Sequence, residues 1–417
     1  MNLDTVILAL AIIAGFYMAW NIGANDVANS MADAVGSKAI SLFWAVALAG
    51  IFEFCGAVFV GNNVANTIRK GIIDTQVFSH EPMLLAYGML SALLAAALWL
   101  NAASIMGMPV STTHSIVGAV TGIGLLVAGF EHVHWSKLGQ IVASWFISPI
   151  VGGLISYLFF RLILRFILNK EKPIIAAKKV MPVFVFFIFV AIILGTIFKG
   201  LKHMHLNLTG YDAVIFSVIG GLLAAMVSVF LLRNIREAHG ESNLSQQLVR
   251  VEKIFMTLVV ITSCSVAFAH GANDVANAIG PLAAVIEIIK TNAVPKQVEV
   301  ELWILVLGGG GIFIGLATFG YKVMRMVGTN ITEITPSRGV AADVGTTITV
   351  LVCSKMGLPI STTHTLVGAI LGVGLARGIP AINVKVVKRI FGSWIATIPI
   401  TAVLAVLFYC IIKWLVI

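Results

Sequence analysis

The chain has 417 residues, of which 59% are hydrophobic and only 11% charged, and its formal net charge is +9. An average soluble domain is roughly 25% charged, so a globular surface of this size could not be solvated. A mean hydropathy of +1.01, with apolar runs of bilayer-crossing length from end to end, makes this a polytopic membrane protein. Its basic residues sit in short loops beside those runs, the pattern that orients a membrane protein rather than one that grips nucleic acid.

Taken in order, apolar spans are predicted at 4–22, 40–60, 83–103, 110–130 and 138–163, with a break through Ser30–Lys38 and a polar stretch from Asn62 to Glu81. Arg161, Arg165, Lys170, Lys172, Lys178 and Lys179 form the most basic cluster. Spans 181–198 and 211–232 follow, then a polar linker bounded by Arg233, Arg236, Arg250 and Lys253. Five more spans fall at roughly 254–270, 302–321, 340–356, 360–376 and 390–412, for about twelve in all. The four cysteines are isolated and read as packing residues, and Gly308–Gly311 as a surface for close helix packing.

The chain repeats itself. Gly23-Ala24-Asn25-Asp26-Val27-Ala28-Asn29 recurs letter for letter at Gly271 to Asn277. Met108 to Leu125 aligns with Leu358 to Leu375 at eleven of 18 positions, including Pro-x-Ser-Thr-Thr-His in both, and Ser144-Trp145 returns as Ser393-Trp394. The expected organisation is a first repeat over 1–168, a two-helix insertion over 180–232, a linker over 233–253 and a second repeat over 254–417. Placing the basic clusters at 161–179 and 233–253 in the cytoplasm puts both termini outside and gives the repeats opposite topology. Loop charges agree: 376–389 carries Arg377, Lys385, Lys388 and Arg389 without an acid, while 126–137 sets Lys137 against Glu131. Arg69 and Lys70 run against the trend. The fold class expected is therefore all-α, with two inverted-topology repeats and broken or re-entrant helices.

Each Pro-x-Ser-Thr-Thr-His segment reads as a helix start, with Ser and Thr capping free backbone N–H groups. Within a bilayer such a start must be buried in protein or line a wet cavity. Its free amides, its dipole and its hydroxyls together favour an anion. Inversion would set Ser111, Thr112 and Thr113 opposite Ser361, Thr362 and Thr363, supplying donors to a tetrahedral oxyanion from two sides. His114 and His364 could hold the caps or a neighbouring helix, bind the ligand, or carry a proton.

Asp26 and Asp274 lie beside apolar runs, where an unpaired carboxylate is costly and intramembrane charge implies function. With the amides of Asn25, Asn29, Asn273 and Asn277 they make an oxygen-rich set suited to a hard monovalent cation, and the glycines are expected to let the helix break there. Glu53, in mid-span, is a further cation ligand, a proton site or a helix–helix hydrogen bond. Asp343 is expected to pair with Arg338.

Paired Gly-Ala-Asn-Asp-Val-Ala-Asn motifs, paired Pro-[Val/Ile]-Ser-Thr-Thr-His motifs and about twelve spans resemble the inorganic phosphate transporter (PiT) family, over essentially the whole chain except 180–250. The resemblance implies a cation-coupled phosphate symporter of the cytoplasmic membrane, using Na+ or alternatively H+, and working by alternating access as a homodimer. It implies a substrate site built from Asn25, Asp26, Asn273, Asp274 and the two Ser-Thr-Thr triplets. Within it the residues themselves assign phosphate to the triplets with Asn25 and Asn273, and the cation to Asp26 and Asp274 with their neighbouring asparagines. The short linker suggests a compact prokaryotic type. A sulfate permease on the same scaffold is the rival. An intramembrane hydrolase using Ser111, His114 and Asp26 is a remote one, because it explains neither duplication nor inversion.

Overall fold

Backbone polar groups have no water to pair with inside a bilayer, so each apolar run must close its hydrogen bonds within itself as a helix. A computed structural model describes residues 3–62, 71–106, 108, 110–200, 209–233, 243–294, 300–320, 335–378 and 384–416, the side chains of 27–29, 198–200 and 384–391 excepted. The helices among these residues are α1 (Leu3–Gly36), α2 (Leu42–Val60), α3 (Pro82–Ile105), α4 (Thr112–Ile123), α5 (Trp135–Ile163) and α6 (Pro173–Gly200). They continue as α7 (Gly210–Arg233), α8 (Leu244–Thr291), α9 (Leu302–Gly315), α10 (Pro336–Lys355), α11 (Thr362–Arg377) and α12 (Val384–Val416). Among the described residues, nine elements are long and apolar enough to cross a membrane; α4, α10 and α11 are the shorter or more polar ones. The chain is an all-α, multi-pass membrane protein, and every expected span has its helix.

One expectation fails. The repeated Asn-Asp motif does not break its helix: α1 runs unbroken from Leu3 to Gly36, and α8 is continuous over 48 residues from Leu244 to Thr291. The reason is that the motif's polar side chains find partners in neighbouring helices, so its backbone has no need to open. Its glycines serve close approach instead. A Cβ on Gly23 would lie 1.9 Å from the Ile312 carbonyl oxygen on α9, and one on Gly271 would lie 2.1 Å from that of Glu53 on α2. The contact is returned: Gly315 abuts the Trp20 carbonyl and Gly56 that of Phe268. Gly308 and Gly311 pack against Ile279 and Ala19, as the glycine run suggested.

The same exchange recurs at the capped helices. Gly118 and Gly122 seat α4 against the backbone of α12 at Ile398 and Ala402, while Gly368 and Gly372 seat α11 against α5 at Pro149 and Gly153. Each half therefore buries its short helix against the last long helix of the other half. This interlocking carries the interior positions where the polar residues meet.

These backbone contacts leave no room for a methyl group. Gly271→Ala is expected to cost about 3 kcal/mol or more through overpacking against an immovable carbonyl. Gly310→Ala, where nothing lies within 4 Å, should change stability by less than about 0.5 kcal/mol. Thermal unfolding of the two variants in detergent checks the contrast; equal midpoints would refute the packing argument.

Candidate functional site

The two capped helix starts are near-duplicates. Ser111 precedes α4 with extended backbone (φ −82°, ψ 122°), and its Oγ accepts from the His114 N–H at 3.2 Å. Ser361 precedes α11 in the same way (φ −87°, ψ 113°) and accepts from the His364 N–H at 3.2 Å. The starts meet: Thr113 Oγ1 donates to the Ile360 carbonyl at 2.9 Å, and the His114 and His364 rings stand edge to face at 4.4 Å. Replacing either cap serine by alanine should cost about 1 kcal/mol, read as a lower thermal midpoint in detergent. Unchanged midpoints in both variants would remove the caps from the account.

Both histidines are buried and serve the crossing of helices. His114 Nδ1 lies 3.4 Å from the Trp394 carbonyl oxygen, and His364 Nδ1 lies 3.2 Å from that of Trp145. Each ring also packs on an indole, His114 against Trp145 and His364 against Trp394. With His114 turned to Trp394, and Asp26 receiving Thr363, no Ser–His–Asp relay is assembled from Ser111, His114 and Asp26.

The acidic motifs sit against these helix starts. Thr362 Oγ1 donates to Asp274 Oδ2 at 2.8 Å, and Thr363 Oγ1 donates to Asp26 Oδ1 at 3.2 Å. Asn277 Nδ2 lies 3.3 Å from both Thr112 Oγ1 and Thr113 Oγ1. Asn273 bridges the Ile360 carbonyl and Asp274 through Nδ2, and its Oδ1 accepts from Ser354. Asn25 Nδ2 donates to Ser104, the repeat counterpart of Ser354, at 2.7 Å. Asp26, Asp274, both serine–threonine triplets, Asn25, Asn273 and Asn277 are thus brought together, all buried. The Asn29 side chain lies outside the described residues. Asn25 Oδ1 and Asn277 Oδ1 are buried acceptors without a hydrogen-bond donor, a costly arrangement unless a ligand supplies one.

Sequence reasoning missed the residue at the centre. His270 Nε2 lies 2.9 Å from Asp274 Oδ2 and 3.6 Å from Asp26 Oδ2, and its Nδ1 lies 3.1 Å from Glu53 Oε1. A neutral imidazole has one N–H and one lone pair; the imidazolium form suits carboxylates at both nitrogens. With a neutral imidazole instead, whose Nε2 offers a lone pair, Asp26, His270 and Asp274 are grouped closely enough to hold a metal ion. Glu53 is fully buried and additionally accepts from Ser30. The missed signal was a difference between the copies: the residue before the first motif is Ile22, and before the second it is His270.

A second polar cluster lies one motif length along α1. Asp33 is buried against Gly339 of α10. Asp343 accepts from the Thr262 and Ser263 hydroxyls at 2.8 and 2.9 Å rather than from the expected Arg338.

The comparisons with known proteins fit this arrangement. The sequence profile of the phosphate transporter family matches residues 22–405. The chain belongs to the phosphate transporter family. A Pyrococcus abyssi protein provisionally named a phosphate permease is 46% identical over 416 residues, covering all of both chains. Inorganic phosphate transporter 2-1, chloroplastic, of Arabidopsis thaliana is 43% identical over 97% of this chain and 72% of its own. A solved structure described as the sodium-dependent phosphate transporter is 42% identical, with a TM-score of 0.91 over 99% of this chain and 100% of that one. As a member of the phosphate transporter family, the chain is a transporter and not an enzyme.

Proposed function

We propose that this chain is a Na+-coupled inorganic phosphate symporter of the cytoplasmic membrane, with both termini outside. Phosphate binds near the midplane between the starts of α4 and α11, held by Ser111, Thr112, Thr113, Ser361, Thr362 and Thr363 with Asn25 and Asn273. The cation binds at Asp26 and Asp274, with the amide oxygens of Asn25, Asn273 and Asn277 near them. The observation that carries the reading is the direct link between the two ligand sets: Thr362 donates to Asp274, and Thr363 to Asp26.

That link supplies coupling. A hydroxyl hydrogen given to a carboxylate is not available to an anion. A cation that takes up the carboxylate oxygens releases Thr362 and Thr363 to donate to phosphate, and lowers the repulsion that two acids exert on an oxyanion. Each ligand then raises the affinity for the other by the same factor. The interlocked halves, read as repeats of opposite topology, can exchange conformations and so open the site to either side in turn. Sodium is favoured because the set is made of carboxylate, amide and hydroxyl oxygens, and because the similar solved structure bears a sodium-dependent name. Phosphate is favoured over sulfate because at neutral pH it can still donate a proton to Asp26 or Asp274.

Labelled phosphate uptake into proteoliposomes tests this, with a Na+ gradient and a pH gradient imposed separately. The expected result is uptake driven by Na+, blocked by excess arsenate and not by excess sulfate. Uptake driven only by inward protons would overturn the choice of ion, and competition by sulfate without phosphate accumulation would overturn the substrate.

A further inference from the structure

A cavity of about 860 Å³ lies away from the polar centre, between α6, α7 and the beginning of α8. Its wall is almost wholly apolar and extends from Met181 to Ile193 on α6, Gly220 to Leu232 on α7 and Arg250 to Ile261 on α8. At 1.5 Å per residue each of these segments is about 16–18 Å long. One leaflet of a bilayer's hydrocarbon core is about 15 Å deep. The cavity therefore has the length of a single leaflet.

No described residue of the chain covers its α7 side. Leu223, Val227 and Leu231, spaced four apart on one face of α7, line the cavity and are each more than half exposed. At mid-length α6 and α7 come into contact, since a Cβ on Gly221 would lie 2.6 Å from Val190 Cγ2. Toward the linker end, two cations stand at the margin of the apolar wall. Arg250 and Lys253 are three residues apart and thus on the same side of α8, both line the cavity, and neither has a carboxylate at ion-pair distance among the described residues. Arg233, the last residue of α7, is exposed next to the lining residue Leu232. Apolar length matched to one leaflet, with the lining's positive charge gathered at one end, is complementary to one class of molecule.

We propose that this groove is a binding site for an anionic phospholipid of the leaflet on the linker side. An acyl chain lies along Val185, Phe189, Ala224 and Val227, and the headgroup phosphate rests on Arg250 and Lys253. Juxtamembrane basic residues attract anionic headgroups; the groove adds a chain-shaped apolar wall that bulk lipid lacks. Neither feature belongs to the transport site, so the inference stands whether or not the coupling scheme does.

The test uses the full chain, purified in a neutral detergent and incubated with phosphatidylglycerol or phosphatidylcholine of equal chain length, with bound lipid counted by native mass spectrometry. The expected result is one retained phosphatidylglycerol per protomer at concentrations where phosphatidylcholine is not retained. Arg250→Gln with Lys253→Gln should weaken retention by at least about tenfold. Ala224→Trp should also weaken it, by filling the chain's place with both cations intact. Equal retention of the two lipids, or retention unaffected by either variant, overturns the proposal. Displacement by millimolar inorganic phosphate would mean a free-anion site instead. An oligomer that dissociates in Ala224→Trp while lipid retention is unchanged would assign the groove to a second copy of the chain.

Discussion

Asp274→Asn is expected to reduce cation-driven phosphate uptake by at least about a hundredfold, with a smaller loss for Asp26→Asn. The difference follows from their surroundings. Asp274 is fully buried; its Oδ1 accepts from Asn273 at 2.7 Å, and its Oδ2 accepts from Thr362 at 2.8 Å with His270 Nε2 at 2.9 Å. An asparagine there must turn its NH2 toward one side or the other, and both sides are donors. The substitution removes a charge and creates a donor–donor clash in either rotamer. Removing one partner of a buried ion pair costs roughly 3–5 kcal/mol, and each 1.36 kcal/mol in a barrier is a factor of about ten. Asp26 accepts from Thr363 at the longer 3.2 Å and stands 3.6 Å from His270, so its amide can be accommodated with less disruption. Initial uptake rates in proteoliposomes, normalised to folded protein, decide the matter. Wild-type rates in both variants would take the carboxylates out of the transport cycle.

How much of this was legible beforehand depended on whether a residue announces itself locally. The helix starts did: Ser111 and Ser361 are capping residues ahead of an apolar, glycine-bearing run, and the structure uses both for that bond. Asp26 and Asp274 did as well, because a carboxylate beside apolar sequence requires a reason. Three things could not be read. That Gly23 and Gly271 serve close helix approach rather than a break depends on a neighbouring carbonyl lying where a side chain would be, a tertiary fact that leaves no local trace. The place of His270 depends on which residue of α2 lies opposite it, and strand-by-strand or helix-by-helix patterns do not encode register between distant segments. Arg338 was expected to meet Asp343 by proximity in sequence, yet hydroxyls of α8, some 80 residues away, hold that carboxylate. Comparing the two copies position by position for differences, rather than for identities, would have brought His270 forward.

That difference yields the sharpest expectation. Gly23 presses on the carbonyl of Ile312 just as Gly271 presses on that of Glu53, so the His270–Glu53 pair of one half corresponds to an Ile22–Ile312 pair in the other. Both isoleucines are fully buried, so the scaffold already shows how this position packs without charge. Consider the cluster of Asp26, Asp274, Glu53 and His270 with an imidazolium. Three negative charges and one positive leave a balance of minus two. Glu53→Ile changes that balance to minus one, and His270→Ile to minus three; the two together restore minus two. His270→Ile alone should therefore be the most damaging, costing about 3–5 kcal/mol as an unrelieved buried charge. The double variant is expected to be more stable than His270→Ile by at least about 2 kcal/mol, because buried ion pairs replaced by packed apolar residues are often neutral in stability. Thermal or denaturant unfolding of the four proteins in detergent gives the coupling energy directly. Additive losses would mean that Glu53 and His270 are separate residues that happen to be near each other. A strong positive coupling would make them one unit, set into one half of the protein and absent from its counterpart.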